Sequence, residues 1–118
     1  MIFHIALETE WDSALQLGIY SPSSITNEGF IHCSTREQIV ATANLFYYGR
    51  TDLILLQIDE IRLTAPLRYE TPADDEAHAS LRFPHIYGPL NLDAIMRAEP
   101  FRCADDGSFT LPPSFQDG

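Results

Sequence analysis

Lysine is absent from this sequence. All seven basic residues are arginines, set against 17 acidic residues for a formal charge of −10. That excludes a lysine Schiff base and a P-loop lysine. The negative charge repels phosphate backbones and anionic lipid surfaces, so neither general nucleic-acid binding nor membrane binding is expected. Cysteine is scarce, and Cys33 and Cys103 lie too far apart for a C-x-x-C motif, so free thiols are expected in a reducing compartment. No apolar run reaches the ~18 to 20 residues needed to span a bilayer. No basic region precedes an apolar stretch at the N-terminus, so no secretory leader is expected and the cytoplasm is the expected location.

What is present suits one folded unit. A hydrophobic content of 45% in 118 residues is enough to build a core, and no linker, repeat or low-complexity tract divides the chain. A single domain over 1–118 is expected. Met1–Ala6 reads as a strand. Thr9, with Asp12 three residues on, reads as the cap of a helix with an apolar stripe at Trp11, Ala14, Leu15 and Leu17 and a stop at Gly18. Residues 19–29, rich in Ser, Pro and Asn, read as a loop. Phe30–Cys33 reads as a strand leading into a helix capped at Ser34 or Thr35, with Glu37 and Gln38 at capping-box positions.

That second helix runs through Ile39, Val40, Ala43, Leu45, Phe46 and Tyr47 to Gly49. Leu53–Ile58 reads as a central strand and Leu63–Glu70, with Pro66, as an edge strand. Thr71–Ser80 is an acidic loop containing His78. Phe83–Gly88 is a short strand, and Leu92–Phe101 fits a strand or a short helix. Asp105–Gly107 is a turn, and Phe109–Leu111 is placed as a last strand.

The chemistry gathers on histidine. His4, His32 and His85 each sit in a strand-like segment beside apolar neighbours, and strand side chains alternate between faces. If those neighbours face the core, the three rings point the other way, into one cleft. Ser34 shares the His32 face and Tyr87 the His85 face. Imidazole suits proton transfer, ligand binding and metal ligation, although a lone strand histidine commonly serves only as a hydrogen-bonded structural residue. Glu70 at a strand end is a candidate base, and Tyr47 or Tyr48 is a candidate stacking surface for a ligand ring. Ser34 and Thr35 stand where a helix N-terminus offers amides to a phosphate or carboxylate. Trp11 and Cys33 read as core. The histidine spacings match no metal motif, and no metal ligands are assigned.

The segments FHIA, EGFIHCST and FPHIYGPL resemble the small bacterial family known as domain of unknown function 952, from His4 to about Leu111. That family resembles, at a distance, the ADP-ribosyltransferase and RNA 2′-phosphotransferase fold. The resemblance implies an α+β protein with two small, mostly antiparallel sheets around a cleft and helices at the flanks. It implies NAD or an ADP-ribose-like ligand, with His4 at the ribose and His32 and Ser34 as the H-x-S pair. Two family features are missing: the late-strand glutamate is replaced by His85 and Tyr87, and no arginine set for RNA phosphates is present.

The leading expectation is a pocket for a nucleotide-like or phosphorylated small molecule, with His4, His32, His85 and Glu70 as catalytic candidates for ADP-ribosyl transfer or hydrolysis. Ser34, Thr35, Tyr47, Tyr48 and Tyr87 are the binding candidates. The alternatives are a non-catalytic binding or regulatory module on the same fold, and a small metal-dependent enzyme.

Overall fold

A computed structural model of the chain describes residues 1–71 and 81–116. The elements in chain order are β1 (Ile2–Leu7), α1 (Glu8–Leu17), β2 (Ile19–Tyr20), α2 (Ser23–Glu28), β3 (Ile31–His32), α3 (Ile39–Phe46), β4 (Leu53–Ile58), β5 (Leu67–Glu70), β6 (Phe83–Ile86), β7 (Leu90–Asn91), β8 (Ile95–Pro100) and α4 (Pro113–Gln116), with single 3-10 turns at Glu60–Arg62 and Leu92–Ala94. The acidic loop expected over Thr71–Ser80, with His78, lies outside the described residues except for Thr71.

Among the described residues the strands form three small antiparallel sheets, β1–β4–β8, β2–β7 and β3–β6–β5, where two were expected. The α+β class holds. Strand β4 lies in the middle of its sheet and every residue of it is buried, because apolar side chains cover both faces. On one face Ile2, Ala6, Ile54, Leu56 and Ile58 join Ile31, Cys33 and Ile86 of the β3–β6–β5 sheet, with Tyr20, Ala14 and Leu90. On the other, Phe3, Ile5, Leu53 and Leu55 meet Ile39 and Ala43 of α3, along with Phe101, Phe109 and Phe115. The first core joins two sheets, and the second is closed by helices and the C-terminal segment.

One pair of backbone bonds connects these sheets at the edge. Phe3 N–H donates to Ser34 O at 2.8 Å, and Ser34 N–H donates to Phe3 O at 2.7 Å. This sets β3, with His32, beside β1, with His4.

Several local readings are corrected. Helix α1 begins at Glu8, so Thr9 lies within its first turn, and no side chain caps it. Its inward face is Trp11 and Ala14, while Leu15 and Leu17 are exposed. Gly18 ends it in the left-handed conformation, where glycine is free of strain. Residues 19–29 contain β2 and the six-residue α2. The Thr35 to Gln38 pair forms only half of a capping box: Gln38 Oε1 accepts from Thr35 N–H at 2.9 Å and closes a turn ahead of α3. Within α3 the buried stripe is Ile39 and Ala43, spaced four apart, with Val40 and Tyr47 half-buried beside it. Leu45 and Phe46 fall off that face and are exposed at 74% and 71%. Leu92–Phe101 is both a 3-10 turn and strand β8. The strand placed at Phe109–Leu111 is irregular chain that seats Phe109 in the second core and leads to α4.

Candidate functional site

Strands β3 and β6 pair so that His32 lies directly opposite His85. Ile31 and Ile86 take the inward positions, which turns both histidines outward as strand alternation requires. Their ring centroids are 5.5 Å apart in an edge-on arrangement. Phe30, next to the left-handed Gly29 that ends α2, lays its ring on His85 at 4.1 Å and 20°. It also stands 4.7 Å from the His32 ring and 5.3 Å from Tyr87. Four rings from two segments therefore form one cluster.

Each histidine of this pair is held by a carboxylate. His85 Nδ1 donates to Glu70 Oε1 at 2.9 Å, and the same oxygen accepts from the Tyr87 hydroxyl. His32 Nε2 donates to Glu28 Oε2. The hydrogen bonds from Tyr87 and then His85 hold the Glu70 carboxyl below its ordinary range, and the same carboxylate pushes the Tyr87 hydroxyl up. A neutral imidazole carries one N–H, and the bond to Glu70 places it on Nδ1. In that neutral form Nε2 of His85 is a bare acceptor. It has no hydrogen-bond partner among the described residues, on a side chain that is 11% exposed.

His4 is different, and the expectation for it is corrected. Strand β1 has a core on each face, so the side opposite Phe3 and Ile5 is packed, and His4 there is buried. His4 shares that side with Ile2 and Ala6 and pairs across the sheet with Leu56. Nδ1 donates to the His32 carbonyl at 2.5 Å, and Nε2 accepts from the Tyr20 hydroxyl at 2.7 Å. Burial lowers its pKa to about 4, so the ring is neutral near pH 7. Burial likewise raises the Tyr20 hydroxyl. With both nitrogens bonded within the protein, His4 has no proton to exchange with a ligand. It supports the strand that carries His32.

A broad groove of about 1660 Å³ runs from α2 across β3 to α3 and the ends of β5 and β6. His4, His32, His85, Glu70, Ser34, Thr35, Tyr47 and Tyr87 all border it; Tyr48 does not. The Tyr48 hydroxyl donates to the Asp106 carbonyl instead. Ser34 is buried, and its hydroxyl donates to Thr42 Oγ1 at 3.3 Å. Part of the helix end expected to take a phosphate is satisfied internally. Thr35 N–H is bonded to Gln38, and Gln38 N–H and Ile39 N–H both donate to Thr35 O. Glu37 stands at the same turn. Among the described residues the groove's carboxylates are Glu10, Glu28, Glu37 and Glu70, and its one arginine, Arg50, is bonded through Nε and a terminal nitrogen to Asp52 at 2.9 and 2.7 Å.

Phe30 and Glu28 had no place among the sequence-level candidates, although a signal for each was available. Phe30 is two residues before His32 and so shares its strand face, and Glu28 is four residues before the same histidine. Among the described residues, no group of three or more His, Cys, Asp or Glu side chains is placed to hold a metal ion. Cys33 is buried and its thiol pushed up by burial, as befits a core residue. No described helix is long and apolar enough to cross a membrane.

Residues 5–98 match the model of a family described as "Protein of unknown function (DUF952)". The crystal structure of protein CC0527 from Caulobacter crescentus is similar to this chain with a TM-score of 0.78 at 31% identity, covering 93% of each chain. The solution NMR structure of the same protein is similar to the same degree, with a TM-score of 0.78 at 31% identity over 93% of this chain and 91% of that one. No curated protein matches the sequence.

Proposed function

We propose, for a chain that belongs to the DUF952 family of proteins of unknown function, that the groove is a small-molecule site in which His85 acts as a general base. The observation that carries this is the bond from His85 Nδ1 to Glu70 at 2.9 Å, which in the neutral ring leaves the other nitrogen with a lone pair on a residue that borders the groove. A carboxylate that fixes the tautomer of a base is a recurrent arrangement in proton-transfer sites. Tyr87 anchors Glu70, and Phe30 holds the His85 ring by stacking.

The resemblance to ADP-ribosyltransferases supplies a candidate reaction, transfer or hydrolysis at a ribose anomeric carbon. His85 Nε2 would take the proton of an attacking hydroxyl or water as the new C–O bond forms and the bond to the leaving base breaks. His32 would face the substrate beside it. His4, catalytic in the sequence reading, supports the site from behind.

Calorimetric titration with NAD and ADP-ribose, paired with product analysis of wild type and His85→Ala, tests the reading. Turnover in wild type that drops by about a hundredfold in the variant is the expected result for loss of a general base. Failure of both compounds to bind at millimolar concentration removes the ribosyl reading.

A non-catalytic binding module is the second reading, and the openness of the site favours it. The groove exceeds the roughly 300–1,000 Å³ of ordinary small-ligand pockets, and water would reach a reactive intermediate there freely. Binding without turnover would decide for the module.

A further inference from the structure

The charge and donor pattern of the groove specify the ligand more narrowly. We infer that the part of the ligand seated at Phe30 and His85 is a cationic hydrogen-bond donor, a protonated amine or guanidinium carried on an apolar or planar body. This rests on the groove being a ligand site, as proposed above.

Three independent observations support it. First, His85 borders the groove, and its Nε2 has no partner among the described residues. Once a ligand covers it, the bare nitrogen of a neutral imidazole is satisfied by a donor and left unsatisfied by a phosphate oxygen. Second, Glu28 and Glu70 are bonded to the paired histidine rings, and Glu10 and Glu37 add two more negative charges to the lining. Arg50 offers no counterweight, because Asp52 engages it at two points. Third, the faces of aromatic rings attract cations, and the cluster already shows this with a group of its own. The Arg68 guanidinium lies over the Tyr87 ring at 5.3 Å.

A phosphate seated at the Phe30 and His85 end meets Glu28 and Glu70 there, with the Arg68 guanidinium at the Tyr87 ring as the one cation beside them among the described residues. The Thr35, Gln38 and Ile39 amides at the turn before α3 are internally bonded, and Glu37 stands beside them. Of the other nearby arginines, Arg36 is committed to the Phe115 carbonyl and to the Phe3 ring. A net charge of −10 adds a repulsion that acts on any anion approaching the protein.

Agmatine, which joins a guanidinium and an amine through an apolar stem, is the probe. Amide chemical shifts of the wild-type protein are followed on titration in low-salt buffer, with ADP-ribose and inorganic pyrophosphate in parallel. Agmatine is expected to shift residues of β3, β6 and the Phe30 segment, and to bind about tenfold more weakly in Glu28→Gln and in His85→Ala. Glu28 belongs to a helix with no buried residue, so that variant keeps the fold, and Glu99→Gln on the distant β8 serves as a control with unchanged affinity. Raising the salt to about 0.3 M is expected to weaken agmatine binding several-fold. ADP-ribose binding at the same residues while agmatine does not overturns the inference and leaves the functional reading standing. Agmatine binding that Glu28→Gln and His85→Ala leave unchanged also overturns it. If none of the three compounds shifts the groove, the inference and the functional reading fall together.

Discussion

His4 Nδ1 donates to the backbone carbonyl of His32 at 2.5 Å, joining a buried ring on one sheet to the strand that presents the outward ring of the other. The carbonyl can only accept, so the proton of His4 is fixed on Nδ1, and Nε2 must accept from Tyr20.

This arrangement makes the protein sensitive to acid. The pKa of His4 falls from 6.5 to about 4 on folding, so below about pH 6.5 the unfolded chain binds a proton that the folded chain does not. Stability therefore drops as pH falls from 6.5 towards 4, by roughly 3 kcal/mol for this one group, and the loss levels off below that window. Urea unfolding at several pH values is expected to show this slope, and His4→Gln is expected to flatten it. An unchanged slope in the variant would assign the acid sensitivity elsewhere.

Tyr20→Phe removes the donor to His4 Nε2 and leaves a buried acceptor unpaired. The expected cost is about 1–3 kcal/mol in chemical denaturation. Ligand binding at the His85 side is expected to be little affected, since Tyr20 bonds to His4 and not to the paired rings.

Glu70→Gln tests the tautomer of His85. A carboxylate accepts from both Nδ1 and the Tyr87 hydroxyl, whereas an amide has one oxygen and a donating NH₂. Nitrogen chemical shifts of the His85 ring are expected to report a proton on Nδ1 in wild type and a mixed population in the variant. A wild-type ring protonated on Nε2 would remove the basis for His85 as a base.

Gly107→Ala is expected to destabilise the fold by about 1–3 kcal/mol. Gly107 has a φ of 91°, and a Cβ there would meet Tyr48 Cε1 at 2.7 Å. Tyr48→Phe loses the bond to the Asp106 carbonyl and is expected to leave groove binding unchanged. Thermal melts and the agmatine titration separate these two effects.

The outward turn of His32 and His85 was legible in the sequence because their apolar neighbours Ile31 and Ile86 face a single core. The same alternation misled for His4, since β1 lies in a sheet covered on both sides and has no solvent face for its second set of residues. That double cover depends on α3, α4 and the C-terminal aromatics, all distant in sequence. Leu53–Ile58 was readable as a central strand because its continuous apolar run fits only a position buried on both faces. The short α2 was missed because residues 23–28 carry no apolar periodicity and the helix buries none of them. The Glu70 to His85 bond spans 15 residues and depends on the pairing of β5 with β6, a register that local pattern does not contain.

The placement of Ser34 against Phe3 has one more consequence. An unprotected sheet rim is a template on which another chain can build a strand, and a core as apolar as β4 makes that hazardous. Here the rim at β1 is interrupted where Ser34 occupies both backbone groups of Phe3, and the opposite rim at β8 carries Arg97, Glu99 and Pro100. Charge and a residue without an N–H discourage strand addition on that side. The β1–β4–β8 sheet is thereby guarded against fibre-like self-association, and its apolar middle strand is most exposed to aggregation before these two borders have formed.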